Sequence, residues 1–294
     1  MRSLLFVPAD SDKKLAKGLT SGADALILDL EDSVAPEGKA AARESAAAFL
    51  KAHATQARRP RLIVRINALT TGLAEADLDA VVAGRPDAIM LPKAEGEASV
   101  VKAAKRLDAA EAKHGIAKGR TKLIAIATET AAALFRAGTY RNSSERLAGL
   151  TWGAEDLSAD FGAEANRDAQ GNFLDPYRFA RTLCLAGAVN AQVQPIDTVY
   201  IDFRNETGLR KEAEDARRDG FTGKMAIHPA QVAIINEVFT PTDAAIARAQ
   251  AVIDAFAAAP GAGVVGIGGV MYDRPHLSRA LALLERARTF QAGG

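Results

Sequence analysis

One cysteine in 294 residues leaves Cys184 without a partner for an internal disulfide, which fits a reducing compartment. It sits in the apolar, helical run RFARTLCLAGAVNA and reads as a buried inert thiol rather than a nucleophile. Neither sign of charge is in excess, since 37 basic residues stand against 36 acidic ones for a net charge of +1. A nucleic-acid binder normally carries a strongly basic surface, so nucleic acid is excluded as the main partner. Basic side chains can still cluster locally around a phosphorylated ligand. No run of about 18 apolar residues occurs, and the opening MRSLLFVPAD meets charge too early for a signal peptide or a membrane span. The expectation is a soluble, cytoplasmic protein with no membrane partner. No HxxxH or CxxC spacing exists, which removes the usual zinc arrangements. Solenoid repeats and low-complexity tracts are absent too.

What is present is a repeating alternation. Apolar runs RSLLFV, ALILDL, RLIVRI, DAIMLP, KLIAIAT, LAGLTW, DTVYID and GKMAIH each precede a helix-length segment. Their continuous apolar character fits strands buried on both faces of a parallel sheet. Eight such units predict a (β/α)8 barrel, although a doubly wound open sheet gives a similar alternation. Helices are expected over PEGKAAARESAAAFLKAHA, over EGEASVVKAAKRLDAAEAKHG with Gly115 as its C-cap, and over DPYRFARTLCLAGAVNA with Asp175 as N-cap before Pro176. Abundant alanine raises helix propensity and blurs the ends. The pattern changes after residue 240. There PTDAAIARAQAVIDAFAAAP reads as a helix, followed by a Gly-rich strand-like stretch and a last helix. The prediction is a catalytic barrel over 1–240 and a C-terminal extension over 241–294.

Polar residues just past the strands of such a barrel are its catalytic candidates. They include Asp29, Glu31 and Asp32 after the second strand and Arg65 after the third. Lys93 follows the fourth, Glu129 the fifth, Asp156 the sixth and His228 the eighth. Glu129 and Asp156 are two hard carboxylate ligands suited to Mg2+, with other positions left to water and substrate. A cation held there can grip a 2-keto or 2-hydroxy carboxylate and act as a Lewis acid. Arg65 suits a carboxylate or a developing oxyanion. Plainer readings stand beside these. Glu129 can simply cap the next helix, and Arg65 can pair structurally with one of Asp29, Glu31 or Asp32. Lys93 is either a Schiff-base lysine or one held protonated by an acidic neighbour, the second being favoured. His228 reads as a hydrogen-bonded strand-end residue. Trp152 and Phe161 read as pocket walls.

Taken together, RSLLFVPA, LILDLEDSV, VRIN, LPKAE, IATETA, GAEDL, AIHPAQV and MYDRPHL occur in an order that resembles the citrate lyase beta-subunit-like branch of the HpcH/HpaI aldolase family. Within that branch the chain is most similar to malyl-CoA and citramalyl-CoA lyases. The resemblance implies Mg2+, or Mn2+, bound by Glu129 and Asp156, and Arg65 at the substrate carboxylate and thioester oxygen. It implies Glu31 and Asp32 as acidic residues that order metal waters and the active-site loop, and Lys93 as a pocket lysine. Lys13, Lys14 and Lys17 in VPADSDKKLAK match the segment that receives the nucleotide end of coenzyme A, or else are solvated helix lysines. Asp273 in MYDRPHLSRA matches an aspartate that reaches a neighbouring subunit's site, the alternative being a cap on the last helix.

The activity implied is reversible Claisen-type cleavage of a 3-hydroxyacyl-CoA to acetyl-CoA and glyoxylate or pyruvate. Its assembly would be a homo-oligomer, a trimer or a dimer of trimers. The other readings are a citryl-CoA lyase giving oxaloacetate within a larger complex, a malyl-CoA thioesterase, and a non-catalytic CoA-binding subunit.

Overall fold

A computed structural model of the chain describes residues 1–291. Eight parallel strands close into a barrel in sequence order. They are β1 (Ser3–Pro8), β2 (Ala25–Asp29), β3 (Arg61–Arg65), β4 (Ala88–Leu91), β5 (Lys122–Ile126), β6 (Leu147–Thr151), β7 (Gln194–Asp197) and β8 (Gly223–Ala226). Helices alternate with them: α1 (Asp12–Leu19), α2 (Lys39–His53), α3 (Ala74–Val82), α4 (Glu97–Lys113), α5 (Ala131–Leu134), α6 (Ala154–Phe161), α7 (Asp175–Ala191) and α8 (Glu206–Asp219). The closed order settles the fold as a (β/α)8 barrel and removes the open-sheet alternative.

Strand periodicity explains how the barrel is filled. Ala25 and Ile27 of β2, Ile63 of β3, Met90 of β4, Ile124 and Ile126 of β5, and Met225 of β8 meet in one buried cluster inside it. The residues between them, such as Leu26, Leu28, Leu62 and Val64, are buried on the other face. Burial on both faces is why these strands read as unbroken apolar runs. Continuing the inward set by two residues carries Ile27 to Asp29 and Ile63 to Arg65. Those two are direct cross-strand partners at the C-terminal ends of β2 and β3. The barrel core thus hands over, one layer up, from apolar to charged.

Two boundaries differ from expectation. β7 is Gln194–Asp197 rather than the later run DTVYID. A strand containing Gln194 and Pro195 carries little β signal, yet Ile196 and Asp197 are buried and β7 pairs with both neighbours. Asp197 therefore ends a strand instead of beginning one. At α7, Leu174 occupies the N-cap and Asp175 lies in the first turn beside its proline, so the helix starts one residue earlier than predicted. Gly115 follows α4 with φ +62°, the left-handed turn expected there, after His114 as the cap.

Contacts within the chain divide it into Met1–Asn236 and Glu237–Gly294, with α9 (Ala230–Phe239) crossing the division. The second unit holds α10 (Asp243–Ala258), an antiparallel hairpin of β9 (Val264–Ile267) and β10 (Val270–Asp273), and α11 (Arg274–Gln291). Gly268 and Gly269, both at positive φ, make the hairpin turn. Ala249, Val252 and Phe256 of α10 pack with Ala280 and Leu284 of α11 in a small core of their own. Among the described residues no helix is long and apolar enough to cross a membrane.

Candidate active site

A cavity of about 430 Å³ opens at the C-terminal ends of the barrel strands. Its charged lining is one guanidinium, Arg65, with Asp29, Asp32, Glu129, Glu155 and Asp156. Phe6, Ile126, Trp152, Phe173, Val199 and Met225 supply apolar walls.

Arg65 is held from several sides. Its Nε and Nη2 donate to the two carboxylate oxygens of Asp29, both at 2.7 Å, in a two-pronged pair. Nη1 donates to Asp32 Oδ2 at 3.2 Å and lies 3.0 Å from Glu31 Oε2, off the axis of a hydrogen bond. Phe6 lies beneath the guanidinium, 4.9 Å from it. The structural pairing expected with one acid is thus made with all three, and Arg65 also lines the cavity. Burial would lower the guanidinium pKa, but Asp29 and the other acids drive it further up, so the charge is permanent. Burial also works against the Asp29 carboxylate, yet Arg65 keeps that group below the usual range.

Glu129 follows β5 and is almost fully buried, 3% exposed. Burial first, and then the Asp156 carboxylate, push its carboxyl up to about 8. The cap on the next helix is Thr130, whose side chain accepts from Ala133 N–H, so the capping alternative for Glu129 fails. Asp156 lies in the first turn of α6, where negative charge suits the helix dipole. Burial likewise pushes Glu31 up to about 7, despite Arg65 and Lys93 nearby.

Lys93 stands among these acids. Its ammonium lies 2.8 Å from Glu31 Oε1 and 3.0 Å from Asp156 Oδ1. Burial would depress its pKa, but Glu31 and the other carboxylates raise it, so the Schiff-base reading gives way to a charged lysine.

Does this donor set fit a divalent cation? Glu129 Oε2 accepts the Lys93 backbone N–H and Asp156 Oδ1 takes its ammonium. Their other oxygens, Oε1 and Oδ2, have no protein partner among the described residues. Two hard oxygens from a carboxylate pair whose like charges raise one pKa are what a hydrated Mg2+ would satisfy. No group of three or more His, Cys, Asp or Glu side chains set for a metal occurs among the described residues. The pair would then leave the remaining positions to water and substrate.

Gly153 makes room for this pair. A Cβ there would come within 2.8 Å of Glu129 Cγ and 3.1 Å of Glu129 Oε1. Gly153→Ala is expected to push the Glu129 carboxylate aside. Titration should show Mn2+ affinity falling by about 10-fold or more, with the fold intact by circular dichroism.

Other expected residues fall elsewhere. Lys13, Lys14 and Lys17 lie on the exposed face of α1 and do not line the cavity. Phe161, expected as a wall, is 41% exposed and packs on Tyr177. Its place is taken by Phe173, whose ring meets Trp152 edge-on and carries the Arg167 guanidinium 3.6 Å above it. His228 is hydrogen-bonded as expected, with Nδ1 accepting from Ala230 N–H and the ring stacked on Phe203. Cys184 is completely buried, which pushes its thiol up and leaves it inert. In the second unit Asp273 ends β10 and pairs closely with His276 Nδ1 at the start of α11.

Residues 2–229 match the HpcH/HpaI aldolase/citrate lyase family. The chain belongs to that family. Residues 172–292 also match a carbon–carbon bond lyase of the TIM-barrel fold. The citrate lyase subunit beta of Escherichia coli (strain K12) is 38% identical over 291 residues, 97% of this chain and 93% of the relative. The mitochondrial citramalyl-CoA lyase of Rattus norvegicus is 33% identical over 306 residues, 99% of this chain and 87% of the relative. The crystal structure of protein CitE from Mycobacterium tuberculosis in complex with magnesium, acetoacetate and coenzyme A is 33% identical. It superposes with a TM-score of 0.78 and covers 98% of this chain and 100% of that chain. As a family member the chain is a carbon–carbon lyase.

Proposed function

We propose that this HpcH/HpaI family member cleaves, reversibly, a 3-hydroxyacyl-CoA such as malyl-CoA or (3S)-citramalyl-CoA. The products are acetyl-CoA and glyoxylate or pyruvate. The observation that carries the reading is the convergence of Glu129 and Asp156, each with a carboxylate oxygen free of protein partners among the described residues, in a cavity shared with Arg65. The relative named a citramalyl-CoA lyase and the relative holding magnesium with coenzyme A support it. A bound Mg2+, held by Glu129 and Asp156, would supply Lewis-acid stabilisation of the 2-oxo acid oxygens.

The chain's own residues do the rest. Arg65, locked by Asp29, presents a preoriented guanidinium to the substrate carboxylate and to negative charge developing on the thioester oxygen. Preorganisation matters because no side chain has to move as the charge develops. Phe6, Trp152, Phe173 and Met225 wall the reacting carbons off from water, which protects the enolate from the solvent. Glu31 and Asp32 brace Arg65 and order the loop after β2. A base takes the hydroxyl proton, the bond between the hydroxyl-bearing carbon and the carbon alpha to the thioester breaks, and its electron pair passes to the acetyl-CoA enolate. Asp273, supplied by a neighbouring subunit, is assigned the proton transfer at the acetyl methyl, and the N-terminal lysines the CoA phosphates. Such a trans arrangement requires at least a dimer.

A citryl-CoA substrate giving oxaloacetate is the second reading, favoured by the 38% identity to a citrate lyase subunit beta. The cavity lining offers one cation against five acids, and Arg65 is already engaged by two of them, Asp29 and Asp32, and by Glu31 behind them. That charge balance suits a monocarboxylate keto acid better than the dianion oxaloacetate. In condensation assays with acetyl-CoA and Mg2+, pyruvate or glyoxylate should outpace oxaloacetate by about 10-fold or more. Equal or faster turnover of oxaloacetate would transfer the assignment to citryl-CoA. Free malate as the product of malyl-CoA would show a thioesterase instead.

A further inference from the structure

Lys93 touches three carboxyl groups from three different segments. Its backbone N–H donates to Glu129 Oε2 at 2.5 Å. Its ammonium meets Glu31 Oε1 at 2.8 Å and Asp156 Oδ1 at 3.0 Å. These contacts come from a non-glycine residue in the left-handed region, with φ +50°. That backbone state is strained for a side-chain-bearing residue and persists only where its surroundings hold it. Here it lets one residue point its N–H at the loop after β5 and its ammonium at the first turn of α6.

We propose that Lys93 is a positioning residue for the divalent cation, tying Glu129 and Asp156 into one ligand geometry, and not a substrate-binding lysine. The inference rests on the reading of Glu129 and Asp156 as the metal ligands. Its physical basis is that these carboxylates belong to different elements and repel one another. Asp156 is the freer of the two, with its side chain 30% exposed. Without the ammonium, repulsion turns it toward solvent and away from Glu129. Glu31, the third acid, shares the same ammonium.

Two effects of opposite sign make the proposal testable. By Coulomb's law alone, removing a positive charge beside a cation site tightens metal binding. By positioning, removing it weakens binding, because groups that orient metal ligands typically contribute 10–100-fold in affinity. The measurement is Mn2+ titration of the full-length protein, followed by the electron paramagnetic resonance signal of free Mn2+. Lys93→Met keeps the backbone N–H and the bulk and is expected to bind Mn2+ about 10–100-fold more weakly than the native chain. Lys93→Arg, whose guanidinium can span both acids, should recover part of that loss. Saturating Mn2+ should restore most of the Lys93→Met cleavage rate, because the lysine itself does not act on the substrate. Lys93→Gln provides the same comparison if the methionine variant fails to fold. Mn2+ binding by the variants as tight as the native chain's, or tighter, overturns the proposal. So does a cleavage rate that stays low at saturating metal. A native chain that binds no Mn2+ overturns the metal reading itself, and this inference with it.

Discussion

Replacing Asp156 with alanine should cut metal-dependent cleavage by about a thousandfold or more, since a Lewis-acid contribution of several kcal/mol disappears with the ligand. On the proposed reading Asp156 is one of the two carboxylates that hold the cation, so water would not rebuild the site at the same affinity. The fold should survive the change. Asp156 sits in the first turn of α6 with its side chain 30% exposed, and its dipole interaction there is worth about 0.3–1 kcal/mol. Lys93 keeps Glu31 as a partner when Asp156 is gone. The thermal midpoint should therefore move by only a few degrees. Removing metal from the native protein by chelation should silence it equally, and added Mg2+ should restore it, whereas the Asp156→Ala variant should not recover. Full activity in that variant would sink the assignment of Asp156 as a metal ligand.

How much of this was readable from the chain depends on what each feature owes to its neighbours in sequence. Seven strands announce themselves because their segments are largely apolar and mostly buried on both faces, even where, as at Lys224 of β8, one buried polar residue interrupts the run. β7 does not, since Gln194 and Pro195 open it and its burial comes from the strands on either side. The site residues at strand ends were legible for a geometric reason. A barrel gathers residues from distant segments onto one rim: Arg65 ends β3, and Lys93, Glu129 and Asp156 follow the next three strands. Which acid meets which base was not legible. Asp29 takes two prongs of Arg65 because β2 and β3 pair in a register that puts the two side by side. The left-handed backbone of Lys93 leaves no mark in sequence, because lysine has no preference for that conformation. Phe173 was missed for another reason. It arrives on the long connection between α6 and α7, where a bridge to Arg167 and the stacked guanidinium place it. Phe161, nearer the acidic pair in sequence, is carried away by the turn of α6.

The largest expected loss of stability comes from Asp197, the residue that the displaced strand boundary puts inside the protein. Its Oδ1 accepts the Trp152 Nε1–H at 2.8 Å and the Arg181 Nε–H at 3.1 Å. Its Oδ2 accepts from Lys224 Nζ at 2.8 Å, and that ammonium, with no exposed surface, also meets Glu212 at 2.9 Å. Burial would raise the Asp197 pKa, but Lys224 and Arg181 keep its carboxyl below the ordinary range. A depressed pKa means a contribution present above the unfolded value of about 3.9 and lost as pH falls through the lower folded value. Asp197→Ala leaves a buried ammonium short of one partner and frees Trp152, so a loss of about 3–5 kcal/mol is expected in chemical denaturation. Because Trp152 lines the cavity, activity should fall in the molecules that remain folded. The double variant Asp197→Leu with Lys224→Met removes both charges and should be less destabilised than the two single changes added together. Additive losses would show that the two charges do not act as a pair, and that Asp197 matters through Trp152 and Arg181 alone.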